Sequence, residues 1–230
     1  MKKTVIITGA NGNLGAACVE KFIESGFQVV GVDNAPSNSA YAGNPALDAH
    51  IVNLLDEKET AEFVNQVITK HKRIDAALLL VGGFAMGGIA ETSLTDIQKM
   101  ISLNFETAYN SVRPVFNQMM KQEKGGRIVL VGARPAIEVT AGKMMVAYSL
   151  SKSLVFELSN ILNAIAKGTN VVTTVIVPST LDTPANRKSM PNANFHDWVN
   201  TNDLAEILEF ICSPAAGGLR ETVLKVYNNA

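Results

Sequence analysis

The sequence runs to 230 residues, 47% of them apolar and 18% charged, which suits one ordinary globular domain over 1–230 with a sizeable core. A formal net charge of -1, with no run of basic residues, argues against nucleic acid or a membrane surface as a partner. The two cysteines, Cys18 and Cys212, lack metal-ligand spacing, so no metal site is expected; Cys18 falls at an apolar position of a helical pattern, as a reduced core thiol does. The apolar run after Met1-Lys2-Lys3 stops at Thr8-Gly9, too short for a secretory signal or a membrane span, and a cytoplasmic location is expected.

In chain order, Val5-Ile6-Ile7 reads as a strand, followed by a glycine turn and an amphipathic helix from Ala16 to Ser25. Gln28 to Asp33 is a second strand, Asn34 to Asp48 a loop rich in Pro, Gly, Ser and Asn, and His50-Ile51-Val52 a third strand. Asp56 to Lys72 is a surface helix, with acids in its first turn and bases in its last. Ala76 to Val81, almost wholly apolar, reads as a strand covered on both faces and ends at Gly82-Gly83. A long helix from Leu94 to Gln122, broken near Ser102, precedes a strand at Arg127 to Val131, a helix at Ala147 to Lys167 and a strand at Val171 to Val177. After the long Leu181 to Val199 loop come a helix, Asn202 to Ser213, and a seventh strand, Thr222 to Tyr227. The alternation predicts an α/β fold, a Rossmann-type doubly wound parallel sheet of about seven strands with helices on both faces.

Gly9-Ala10-Asn11-Gly12-Asn13-Leu14-Gly15 leaves a strand and opens a helix, as a turn that cradles a pyrophosphate does. Asp33, at the end of the next strand, can accept both hydrogen bonds of an adenosine ribose diol and repels a 2′-phosphate, so the expected cofactor is NAD (NADH) in preference to NADP. Tyr148 and Lys152 stand four residues apart and share one helix face, where an ammonium can help a phenol exchange a proton and bring its pKa down from about 10.

Taken together, these motifs resemble the short-chain dehydrogenase/reductase family along nearly the whole chain. The resemblance implies that Tyr148 exchanges the proton with a small-molecule substrate while Lys152 assists it and holds the nicotinamide ribose. It places Asn104 in the proton relay, Asn53 and Leu54 at the adenine, and Gly82 and Gly83 beside the cofactor. It also puts the Pro178-to-Thr183 segment at the carboxamide, with Pro178, Thr180 and Thr183 as contacts. Thr183 also fits a helix N-cap before Pro184. Family members commonly pair through the two long helices, so a homodimer or homotetramer is expected.

One departure bears on the substrate. The hydroxyl that the family carries at the end of the fifth strand is missing; Gly132-Ala133-Arg134 and Pro135 stand there, and Thr140 is the nearest hydroxyl before Tyr148. The dihydropteridine reductase branch also lacks that serine and resembles this chain through Thr180 to Pro191. The expectation is hydride transfer to a quinonoid dihydropterin or a similar flat acceptor; the alternatives are a short-chain alcohol dehydrogenase or carbonyl reductase using Thr140 or a water in place of the serine, and a protein that senses NAD without chemistry. Met190, Phe195 and Trp198 would either close over the ring or anchor their loop to the core.

Overall fold

A computed structural model describes residues 2–229. Its strands are β1 (Thr4–Thr8), β2 (Gln28–Asp33), β3 (Leu47–Ile51), β4 (Ala76–Leu79), β5 (Gly126–Val131), β6 (Val171–Pro178) and β7 (Val223–Val226). All seven join one parallel sheet in the order β3-β2-β1-β4-β5-β6-β7. Every side chain of β1 and β4 is buried, which explains their unbroken apolar runs: a central parallel strand has no solvent face.

Two cores follow from the two faces. On one side, α2 (Glu57–His71), α4 (Thr107–Met119) and α5 (Val146–Ile165) bury Phe63, Val67, Val112, Met119, Val155 and Leu162. On the other, α1 (Asn13–Glu24) and α7 (Thr201–Cys212) bury Phe22, Leu204, Leu208 and Ile211. Each such side chain contributes about 1.5–3 kcal/mol against the entropy of ordering it. Cys18 and Cys212 both lie in the second core as buried free thiols, and burial raises the pKa of each.

Local signals fix the helix ends. Asp56 caps α2 by accepting from the Glu59 amide at 2.9 Å, and Lys72 closes it in the left-handed region. Ser93 and Asp96 form a reciprocal capping box before α3 (Leu94–Ile101). The break expected near Ser102 is a π turn, Ser102–Glu106, after which α4 runs to Met119 and not to Gln122.

The third strand begins earlier than the sequence reading, at Leu47. Asp48, read as a loop residue, pairs with Lys70 and His71 at the end of α2, 2.9 and 3.0 Å away. Those partners, distant in sequence, hold its carboxyl at a pKa of about 2 and let a turn-forming residue sit in an edge strand.

Candidate active site

The sheet order reverses between β1 and β4, so a crevice opens at their carboxyl ends. Gly9 has a φ of +68°, which a side chain would strain. A Cβ on Gly15 would lie 2.0 Å from the Gly9 carbonyl oxygen, so α1 can approach the turn only because that position is bare. Gly12 is the N-cap of α1 and supplies no capping side chain. First-turn amides without a side-chain cap are what a pyrophosphate requires, so these residues fit a dinucleotide. Asn13 at the helix start is exposed, whereas the Leu14 side chain packs into the core and leaves only its backbone for a ligand.

Asn11 spends its side chain locally. Its Nδ2 donates to the carbonyls of Ala35 and Pro36, and its Oδ1 accepts from the Asn38 amide at 3.1 Å. The phosphate turn is thereby tied to the segment after β2. Asp33 accepts from the Asn11 amide at 3.0 Å and the Asn34 amide at 2.8 Å, keeping lone pairs enough for a ribose diol. At the expected adenine position, the Asn53 side-chain oxygen accepts from the Leu55 amide at 3.2 Å, and the Leu54 carbonyl from Asn110 Nδ2 at 3.0 Å. The Asn53 oxygen keeps a second lone pair, free to accept from an adenine amino group.

Gly82 and Gly83 follow β4 and sit against the catalytic candidates. A Cβ on Gly82 would fall 2.7 Å from Asn104 Oδ1 and 3.3 Å from Lys152 Nζ. The Gly83 amide donates to Asn104 Oδ1 at 2.8 Å, and Asn104 Nδ2 donates to Ser151 Oγ at 3.0 Å. Asn104 lies in the π turn, where the altered hydrogen-bond ladder re-aims the backbone beside the site. Lys152 is 4% exposed and donates to the Val131 carbonyl at 2.8 Å, at the end of β5. Burial away from water lowers its pKa to about 8.

Tyr148 differs from the sequence expectation. Desolvation disfavours the phenolate and pushes the phenol up to about 12. A phenol with that pKa is a protonated donor across the neutral range. The charge that can vary near working pH belongs to Lys152: it is present below about 8 and lost above. We therefore expect kcat/KM for reduction to fall as pH rises through about 8, the value that profile reads for the free protein. A profile flat to pH 10 would contradict a role for the ammonium.

Apolar side chains are exposed on the segments around Tyr148 and in the loop after β6. Phe84 packs edge-on to Tyr148 with centroids 5.1 Å apart, and Phe84, Met86, Ile89, Met144 and Met190 are all exposed. Gly87 forms a parallel bridge with Met145, through Gly87 N–H to the Met144 carbonyl (2.8 Å) and Val146 N–H to the Gly87 carbonyl (3.0 Å). Thr140 is exposed in a short 3-10 turn, Val139–Gly142, and is not folded inward. Arg134 pairs with Glu138 at 2.7 Å and lies over the Tyr227 ring.

After β6, Pro178 ends the strand, the Thr180 carbonyl accepts from the Val199 amide, and Thr183 caps α6 (Pro184–Ser189) by accepting from the Asn186 amide at 3.2 Å. Phe195 packs on Trp198 at 4.8 Å and Trp198 is buried, so these two anchor their loop while Met190 stays exposed. Sequence reading missed Ser151, fully buried between Asn104 and the Tyr148 carbonyl, and Phe84 as the tyrosine's neighbour. The signal for Ser151 was its position on the Tyr148–Lys152 segment; the signal for Phe84 was its place after Gly82-Gly83.

Residues 3–194 match the short chain dehydrogenase family, and the chain belongs to it. It is an oxidoreductase of that family, whose cofactor is NAD(P)(H). Among relatives, it is 30% identical to dihydropteridine reductase of Dictyostelium discoideum over 90% of this chain and 87% of that one. It is 28% identical to 2,3-dihydro-2,3-dihydroxybenzoate dehydrogenase of Escherichia coli over 80% and 72%. The fold superposes on a 4-hydroxyisoleucine dehydrogenase solved with NADH at a TM-score of 0.87 and 18% identity, over 99% of this chain and 98% of that one. No helix among the described residues is long and apolar enough to cross a membrane.

Proposed function

We propose that this chain is an NADH-dependent reductase of the dihydropteridine reductase type, acting on a quinonoid dihydropterin or a similarly flat conjugated acceptor. The observation that carries the reading is a half-buried phenol, Tyr148, packed edge-on to the exposed Phe84 ring, in a chain where β5 is followed by Gly132-Ala133-Arg134 and no hydroxyl. When bound, the nicotinamide supplies the hydride. Tyr148 supplies the proton, Lys152 holds positive charge behind it, and Asn104 holds the Gly82-Gly83 turn against Ser151. Without a hydroxyl to grip a carbonyl oxygen, a localised oxyanion loses about 2.7–4 kcal/mol of stabilisation, whereas a conjugated ring spreads that charge. The Dictyostelium relative supports the same substrate class.

Quinonoid dihydropterin assayed beside simple ketones and quinones decides this. It should have the highest kcat/KM with NADH, and a ketone turned over as well would overturn the reading. In the same assay NADPH should be the poorer donor, because the Asp33 carboxylate repels a 2′-phosphate; equal efficiency would remove that role from Asp33.

The proposal includes a homodimer or homotetramer. Leu150, Leu154, Ile161 and Ile165 form an exposed stripe along α5, with Tyr109 exposed on α4. Burying that stripe against its copy would remove apolar area from water. Light scattering should give at least twice 24.6 kDa, and a mass equal to the monomer would refute the assembly.

A further inference from the structure

At the opposite edge of the sheet from the crevice lies a second cavity of about 380 Å³, a size typical of small-molecule sites. Its lining is unlike the rest of a chain of net charge -1: Lys3, Lys124, Arg127, Arg220 and Arg73 face a single carboxylate, Asp75. Asp75 is already committed, pairing with Arg73 and accepting from the Thr4 amide at 2.9 Å. Among the described residues the other four cations have no carboxylate partner. Arg127 donates to the Asn170 carbonyl at 3.5 Å and Arg220 to the Thr169 carbonyl at 3.1 Å, which occupies one of the five donors on each guanidinium.

The two arginines oppose one another. Burial, and then the neighbouring Arg220 charge, make the Arg127 cation harder to hold. Two further donors in the wall, Arg73 Nε and Ser213 Oγ, are buried with no hydrogen-bond partner, a rare state for buried polar atoms. The α7 helix ends at Cys212 beside the cavity, and its C-terminal dipole offers about half a negative charge. That is too little to balance this set. An arrangement of uncompensated cations and spare donors around an open volume is complementary to a compact polyanion.

We propose that this cavity binds a phosphate-bearing small molecule with at least two negative charges, at a site separate from the cofactor crevice. The inference does not rest on the reductase reading, since none of these residues lies in the catalytic group.

Inorganic pyrophosphate is the probe, titrated calorimetrically into the full-length protein already saturated with NADH, with sulfate at equal ionic strength as the control. Pyrophosphate should bind about tenfold more tightly than sulfate or better, because its second phosphoryl group accepts further charge-assisted hydrogen bonds from the arginines and lysines. Arg220→Glu, on an exposed residue, should weaken pyrophosphate by about tenfold or more while leaving NADH affinity unchanged. Lys124→Glu, also exposed, gives a second reading in case Arg220→Glu disturbs the strand that follows. The proposal is overturned if sulfate binds as well as pyrophosphate, if both variants bind it normally, or if NADH competes with it. A mass that doubles on the wild type but not on the variants, without pyrophosphate binding, would make this an interface between copies and would equally overturn it.

Discussion

Tyr148→Phe should lower kcat for the best acceptor by about 10²- to 10⁴-fold, the span that a positioned general acid contributes. The change removes one oxygen and keeps the ring against Phe84, so the mouth retains its packing. NADH affinity should stay the same, since no part of the glycine turn or Asp33 is touched. Binding measured by fluorescence and turnover measured in steady state separate the two effects. A variant with full kcat would show that the proton comes from elsewhere.

Lys152→Met should abolish useful turnover and yet make the cofactor-free protein more stable at neutral pH. The lysine is buried with a pKa of about 8 in the folded chain against 10.5 ordinarily. The unfolded chain therefore binds the proton more tightly between those values, and stability rises with pH across that window. Below about pH 8 the full penalty of a buried ammonium is present, on the order of 3 kcal/mol. The bond to the Val131 carbonyl returns about 1 kcal/mol or somewhat more, leaving a net gain of about 1–2 kcal/mol on substitution. For a chain of this size that raises Tm by about 2–8 °C at pH 7. The difference between variant and parent should shrink as pH approaches 10.5. A variant less stable than the parent at pH 7 would mean that the ammonium is better solvated inside the fold than its burial implies. The site trades stability for a charge held where it can act.

The parts of the fold that a sequence can display are those governed by near neighbours. The apolar run Ala76 to Val81 reads as a covered strand, which forms over Ala76–Leu79, and the glycines from Gly9 to Gly15 announce a tight turn into a helix. The Ser93–Asp96 cap, too, is written in adjacent residues. What the sequence hid depends on distant partners. Asp48 became a strand residue because of Lys70 and His71, and the phenol of Tyr148 rose because of what buries it. Asn11 and Asn53 are expected at the cofactor, and no local signal shows that their side chains also bond the backbone of Ala35, Asn38 and Leu55. The Tyr148–Lys152 spacing correctly put both residues on one helix, but nothing local reveals that the Lys152 ammonium donates to the last carbonyl of β5.

The bridge between Gly87 and Met145 joins the segment carrying Phe84 to the first turn of the helix carrying Tyr148. Two sides of the entrance are thus one piece of backbone, hinged together. An incoming ring cannot widen the gap beside Phe84 without dragging on the start of the tyrosine's helix. If the proposed flat acceptor enters beside Phe84, a thicker ring would strain the two Gly87 hydrogen bonds that tie this segment to the start of the tyrosine's helix.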